Sequence, residues 1–88
     1  MSLRRYNAKR DANEGIIIAA LEASGCLVYR LDTPVDLLVL HRGVVMLVEV
    51  KTKKGALTKG QELFSQYWPI HVLRSVEDAL GLVQRRAA

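Results

Sequence analysis

The sequence predicts an α/β fold in which a small mixed β-sheet is flanked by helices, in the order αβββαβα. The first observation is an apolar run that begins at Val44 and meets a carboxylate at Glu49, a pattern typical of a strand buried on both faces. The second is a similar apolar segment over residues 34–40, only three residues upstream. The third is helical patterning on both sides of these strands, with capping signals at Thr58 and Ser75.

Length and composition limit the kind of protein this can be. The 88 residues suffice for one domain, spanning residues 1–88, with a single core. A net charge of +4 suits a polyanionic partner such as nucleic acid without demonstrating one. Half of the residues are apolar, more than a chain this short buries easily, so a homodimer is expected.

Cysteine content and hydropathy bear on the compartment. The chain has a single cysteine, Cys26, which argues against a disulfide framework and indicates a reducing, cytoplasmic environment. No apolar run reaches the length of a membrane span, because charged residues interrupt every long one. We therefore expect neither a membrane partner nor a small-molecule cofactor.

The first helix is predicted over residues 7–24, with Gly25 ending it. Glu14 falls on or beside the apolar stripe of this helix, where a carboxylate needs a reason. Either it belongs to a site at the sheet, or it is a boundary residue that reaches solvent or pairs with Arg10. The stripe consists of Ile17, Ile18 and Leu21.

Two groups of basic residues are candidates for DNA phosphate contacts. The group before the first helix is equally well explained as a solvated helix start. The group after the hairpin is assigned to phosphate contacts because it adjoins the acidic residues described below, although a solvated loop is the usual setting for a run of lysines. The first group is Arg4, Arg5, Lys9 and Arg10, and the second is Lys53, Lys54 and Lys59.

A short strand over residues 26–30 leads into a turn that contains Asp32, before the strand that carries Asp36. Both aspartates are candidate site residues. Asp32 lies in a turn-like setting, where aspartate commonly bonds to the local backbone. Asp36 opens an apolar strand, where an acid is harder to explain by structure alone, and we therefore prefer it.

The pairing of the two central strands follows from the loop between them. If Arg42 and Gly43 form a two-residue hairpin turn, Asp36 lies opposite Glu49. Opposed residues share a face of the sheet, with Cβ atoms roughly 5 Å apart. Lys51, two residues beyond Glu49, points to the same face. This register collects Asp36, Glu49 and Lys51 at one end of the hairpin, whereas a slip of one residue separates them.

The remaining elements are a helix, a strand and a second helix. Thr58 and Gln61 match a capping box, which is a complete structural account of Gln61. The helix ends before Pro69. Its apolar side is assigned to a core or dimer contact in preference to a base-stacking platform, and consists of Leu63, Phe64, Tyr67 and Trp68. A strand over residues 70–73 follows, and Ser75 then caps the last helix.

Two carboxylates and a lysine that converge in this way suit phosphodiester hydrolysis. The acids offer hard oxygen ligands to Mg²⁺ or Mn²⁺ and leave coordination positions for water and a phosphate oxygen. Such a metal stabilises charge on the phosphate and acidifies a bound water. The lysine can orient that water or neutralise the developing charge.

At these residues the chain resembles the PD-(D/E)xK nuclease superfamily, most closely the stand-alone VRR-NUC branch. Asp36 and the Glu49-Val50-Lys51 triplet stand where that family has its motif, and the order of elements is that of its restriction-endonuclease-like core. One departure is that Val35 separates Pro34 from the aspartate. The resemblance implies metal ligation by Glu14, Asp36, Glu49 and the Val50 carbonyl, and catalytic roles for Asp36, Glu49, Lys51 and Gln61.

The expected function is therefore a Mg²⁺- or Mn²⁺-dependent DNA endonuclease that nicks structured or branched DNA, as Holliday-junction resolvases do. Alanine at Asp36 or Glu49 is expected to abolish cleavage and leave the fold intact. The alternatives are a non-catalytic nucleic-acid-binding module with a decayed nuclease site, and a subunit that only scaffolds a larger complex. Cleavage in Mn²⁺ compared with EDTA separates the endonuclease from the binding module. Absence of DNA binding at low salt favours the scaffolding subunit.

Overall fold

The computed structural model describes residues 13–87, with side chains as far as Arg85. Within this range the chain forms three helices and four strands in the order αβββαβα, which confirms the predicted fold class. The predicted helical residues 7–12 lie outside the described range. The elements are α1 (Glu14–Ala23), β1 (Leu27–Arg30), β2 (Leu37–His41), β3 (Val44–Val50), α2 (Lys59–Ser65), β4 (Ile70–Leu73) and α3 (Val76–Ala87).

The described strands form one mixed sheet in the order β1-β2-β3-β4. β2 is antiparallel to both β1 and β3, and β4 lies parallel to β3. A parallel neighbour requires a crossover connection, and the segment that contains α2 provides it. The two strands proposed to carry the acidic residues are thus the two central strands of the sheet.

The β2–β3 hairpin has the predicted register. His41 pairs with Val44 across a two-residue loop made of Arg42 and Gly43. Both loop residues have positive φ, +51° at Arg42 and +81° at Gly43, which is the requirement of a type I′ turn. This turn type matches the twist of the strands, so it fixes the register in spite of an arginine at its first position.

One face of the sheet carries the core. Ile17 and Leu21 of α1 and Leu82 of α3 are fully buried against alternate residues of the strands. Every second side chain of the central strands joins this cluster because successive strand residues point to opposite faces. The sheet members of the cluster are Leu37, Val39, Met46, Val48, Val50 and Leu73. α1 and α3 therefore pack on the same face.

The opposite face of the sheet is only partly covered. Tyr29 and Val45 point to this face and are 53% and 52% exposed. The helix α2 ends at Ser65, earlier than the sequence predicts, and the following Tyr67 is 81% exposed. A core role for Leu63, Tyr67 and Trp68 is therefore wrong, because α2 contains no buried residue and all three side chains are at least half exposed.

The sequence pattern predicts Val76, Ala79, Leu80 and Val83 as the apolar stripe of the last helix. In the structure Leu82 is buried, whereas Leu80 is 41% exposed. Its predicted cap is confirmed, since the Asp78 amide donates to Ser75 Oγ over 3.1 Å. None of the helices within residues 13–87 has the length and apolar character needed to cross a bilayer.

Candidate active site at the end of the hairpin

Asp36 and Glu49 are joined by hydrogen bonds that run in both directions across the hairpin. The Asp36 amide donates to Glu49 Oε1 over 3.1 Å. In return, the amide of Val50, the residue after Glu49, donates to Asp36 Oδ2 over 2.9 Å. Asp36 itself lies just before β2, so these bonds extend the strand pairing by one step. The two predicted carboxylates are therefore adjacent.

Lys51 completes the predicted cluster. Its Nζ lies 3.3 Å from Glu49 Oε2, within ion-pair distance. The Lys51 side chain is 19% exposed and that of Glu49 only 7%, so the pair is shielded from most solvent. A buried carboxylate without a partner is costly, and the ammonium group offsets that cost. The pair together with Asp36 carries a formal charge of −1.

The loop after Lys51 is held in place by the residue that follows β4. The Arg74 guanidinium donates to the carbonyl oxygens of Thr52 and Gly55. Gly55 lies directly on the Lys51 side chain, where an added Cβ would stand 3.1 Å from Lys51 Cδ. The loop therefore folds back along the lysine stem, and only glycine fits there without moving it.

A second contact fixes the backbone of Lys51 itself. Asn13, immediately before α1, donates through Nδ2 to the carbonyl of Lys51 over 3.3 Å and to that of Arg74 over 3.1 Å. One side chain thus ties the start of α1 to the ends of both β3 and β4. Sequence analysis missed Asn13 and Arg74 as contributors to the site. The predicted helix over residues 7–24 puts Asn13 in its interior, whereas the described helix begins at Glu14 with Asn13 as its N-cap residue, and the Asn13 side chain makes no capping bond.

Gln61 has the predicted capping role and a further contact toward the site. Thr58 Oγ1 accepts from the Gln61 amide, and Gln61 Oε1 accepts from the Thr58 amide, each over 3.1 Å. Its Nε2 donates over 3.1 Å to the carbonyl of Pro34, two residues before Asp36. Gln61 therefore braces the segment that presents Asp36, and both of its side-chain polar atoms are engaged in these bonds.

Glu14 is buried at the first position of α1, and its Oε1 lies 3.9 Å from Arg30 Nε. It does not join the other acids in a tight group, since no three Asp, Glu, His or Cys side chains within the described part of the chain converge on one point. The structure therefore brings together Asp36, Glu49, Val50 and Lys51, and leaves Glu14 with Arg30.

Of the two basic groups predicted to contact phosphates, only the second lies within the residues that the structure describes. The second basic group is exposed to solvent near the hairpin end and consists of Lys53, Lys54 and Lys59. The first group, Arg4, Arg5, Lys9 and Arg10, lies outside residues 13–87. Exposed lysines beside a carboxylate pair are available to an anionic ligand.

The donor set at the hairpin end fits a hard divalent cation. Asp36 and Glu49 provide carboxylate oxygens, and Val50 directs its amide toward Asp36. Because the amide and carbonyl of one extended residue point to the same side, the Val50 carbonyl faces the same region. Mg²⁺ is commonly held by one or two carboxylates with water and phosphate oxygens, not by a cage of protein ligands alone. Two acids and a carbonyl therefore suffice.

Comparisons with known proteins add no family. A scan against protein-family models, a search of curated proteins and a search of solved structures each found no match. The functional argument therefore depends on the geometry of the hairpin end.

Proposed function

We propose that the protein is a metal-dependent DNA endonuclease of the PD-(D/E)xK type, similar to stand-alone VRR-NUC domains, that nicks structured or branched DNA. The observation that carries the proposal is the hairpin end itself. Glu49 accepts from the Asp36 amide, Asp36 accepts from the Val50 amide, and Lys51 Nζ lies 3.3 Å from Glu49 Oε2. Two hard acids and one cation match the needs of phosphodiester hydrolysis.

Each residue has a role in this proposal. Asp36, Glu49 and the Val50 carbonyl would hold Mg²⁺ or Mn²⁺, which when bound supplies charge stabilisation at the phosphate and a more acidic water. Lys51 donates hydrogen bonds to the attacking water or to a non-bridging phosphate oxygen, where negative charge develops. Gln61 positions Asp36 by bonding to the Pro34 carbonyl. Glu14, buried at the first position of α1, would add a ligand or a water contact.

The charge of the chain supports a nucleic-acid substrate. The formal net charge is +4, and Lys53 and Lys54, which follow Lys51 closely in the chain, are exposed. Each phosphate neutralised by a lysine or arginine releases counterions, so DNA affinity should fall steeply with salt. A domain of 88 residues offers little surface for reading bases, which favours recognition of DNA structure over sequence.

The partly open face of the sheet supports a homodimer in which two copies present one site to each strand of a branched substrate. Tyr29 and Val45 would lie at the contact because they are exposed and apolar. The single buried thiol of Cys26 suits a reducing, cytoplasmic setting.

A nicking assay tests the activity directly. The purified chain is incubated with linear duplex, flap, fork and four-way junction DNA in Mg²⁺, Mn²⁺ or EDTA. We expect metal-dependent nicking of branched substrates, lost in Asp36→Asn, Glu49→Gln and Lys51→Met. Glu22→Gln, a matched change at an exposed position of α1, should retain activity. Metal-dependent cleavage by the Asp36 and Glu49 variants at the rate of the unaltered chain would refute the assignment.

A non-catalytic nucleic-acid-binding module is the second candidate. The observation that favours it is that both carboxylates already serve the hairpin as hydrogen-bond acceptors, and no third acid within residues 13–87 joins them. In that case DNA binding in EDTA and in Mn²⁺ is equal, and no substrate of the panel is nicked.

A further inference from the structure

A cleft of about 340 Å³ lies beside the hairpin end. Its walls come from the turn before β2, including Asp32 and Pro34, and from the first turns of α2, including Gln61 and Phe64. The bond between Gln61 Nε2 and the Pro34 carbonyl joins the two walls. Since Pro34 is two residues from Asp36, a polynucleotide bound at the acidic pair passes next to this cleft.

The chemistry of the lining selects against a phosphate. The Asp32 carboxylate repels an anion, and no lysine or arginine among residues 13–87 lines the cleft. What the cleft does offer is an aromatic ring at Phe64, the apolar ring of Pro34, and acceptor oxygens at Asp32 and Thr33. An uncharged planar group with hydrogen-bond donors on its edge satisfies all of these. Clefts of this size are at the lower limit of small-molecule pockets.

We propose that this cleft binds one unpaired nucleobase of the DNA strand whose phosphate lies at Asp36 and Glu49. This inference rests on the proposed function, because it assumes that DNA occupies the hairpin end. The base stacks against Phe64, and Asp32 accepts hydrogen bonds from its edge. Guanine fits best, since its N1–H and its amino group donate in the same direction. The cleft thereby gives the site a preference for DNA in which a base is already unpaired.

The test measures binding without hydrolysis. All proteins carry Asp36→Asn, which prevents cleavage but leaves Glu49 as a carboxylate ligand, and are assayed in Mg²⁺ by fluorescence anisotropy. The probes are three duplexes with one extrahelical nucleotide at the same position: guanosine, inosine, which lacks the amino group, or an abasic site. We expect the guanosine duplex to bind about tenfold more tightly than the abasic duplex, as stacking of one base on an aromatic ring provides. Equal affinity for these two duplexes overturns the proposal.

Two variants assign the effect to the cleft. Phe64→Leu keeps an apolar side chain and should abolish most of the difference between guanosine and abasic duplexes. Asp32→Asn should abolish the difference between guanosine and inosine while leaving stacking intact. Leu63→Ala, at an exposed position of the same helix outside the cleft, is the control and should change neither ratio. Ratios that survive both cleft variants also overturn the proposal.

The outcome is separable from that of the proposed function. Nicking of the duplexes by the chain with Asp36 intact, in Mn²⁺, is measured in parallel. Nicking without base discrimination refutes the cleft alone. Discrimination without nicking supports the base site and refutes the nuclease.

Discussion

Glu49 accepts a hydrogen bond from the backbone amide of Asp36 over 3.1 Å, so one proposed metal ligand holds the other in position. The return bond, from the Val50 amide to Asp36 Oδ2, makes the arrangement reciprocal. Each carboxylate is therefore both a candidate ligand and a structural acceptor at the end of β3. This changes the expectation that alanine at either position leaves the fold intact, because alanine removes an acceptor from a buried amide.

The first prediction separates these two roles at Asp36. Asp36→Ala leaves the Val50 amide without its acceptor and should lower the free energy of unfolding by about 1–3 kcal/mol. Asp36→Asn retains an oxygen for that bond and should lose less than about 1 kcal/mol, while still losing metal-dependent cleavage. Urea unfolding and the nicking assay measure the two effects. Equal unfolding free energies for both variants would show that the bond contributes nothing to stability.

The second prediction concerns the ion pair of Lys51 and Glu49. Lys51→Met should reduce cleavage by about 10²–10³-fold, as loss of one charge-stabilising donor commonly does. It also leaves Glu49 as an unpaired, mostly buried carboxylate and should destabilise the fold. Adding Glu49→Gln should recover part of that stability, with a coupling of about 1 kcal/mol in a double-mutant cycle. Additive effects of the two changes would contradict a direct pair.

The third prediction concerns Asn13. Its Nδ2 donates to the carbonyls of Lys51 and Arg74, and Asn13→Asp sets a carboxylate against these two acceptors. We expect a loss of about 1–3 kcal/mol in the free energy of unfolding. Faster amide exchange over residues 51–55 should accompany it, because the end of β3 loses an anchor. The matched amide-to-acid change Gln84→Glu, at an exposed position, is the control. Equal losses of unfolding free energy at both positions would refute the anchoring role of Asn13.

The fourth prediction concerns Gly55. An alanine Cβ at this position stands 3.1 Å from Lys51 Cδ and forces the lysine stem to shift. Gly55→Ala should therefore reduce cleavage while changing the unfolding free energy by less than about 1 kcal/mol, since a flexible side chain can yield. Gly15→Ala, where an added Cβ meets nothing within 4 Å, is the matched control. Full activity in Gly55→Ala would show that the position of Lys51 is not limiting.

The fifth prediction is a pH dependence set by Cys26. Burial raises the pKa of this thiol above its ordinary value of 9.0, because the thiolate is disfavoured in the core. The stabilising contribution is complete below that value and is lost as the pH rises through the raised pKa. Between about pH 8 and about pH 10, the parent chain should lose more stability than Cys26→Ala. Identical pH profiles in urea unfolding would contradict this, as would rapid alkylation of the folded protein by iodoacetamide at neutral pH.

The sequence predicted the hairpin well because its determinants are local. Two continuous apolar runs mark the strands, and a two-residue loop at Arg42 and Gly43 sets the register in which Asp36 lies opposite Glu49. Contacts made by Asn13 and Arg74 were not predictable in the same way. Asn13 donates to a carbonyl 38 residues away, and nothing in the sequence around Asn13 indicates such a long-range bond. The exposure of Tyr67 was also missed, because an apolar pattern does not reveal that a sheet face is left partly open.

The parallel position of β4 has a consequence for the order of folding. The hairpin of β2 and β3 closes through a short loop, whereas β4 reaches β3 only after the long connection through α2, and such distant pairings form slowly. Arg74, which holds the loop after Lys51, directly follows β4 and therefore reaches its position only when β4 pairs with β3. A nascent chain would thus acquire its acidic pair first and its correctly oriented lysine only when the C-terminal part docks. If the chain is the proposed nuclease, it should be inactive until then.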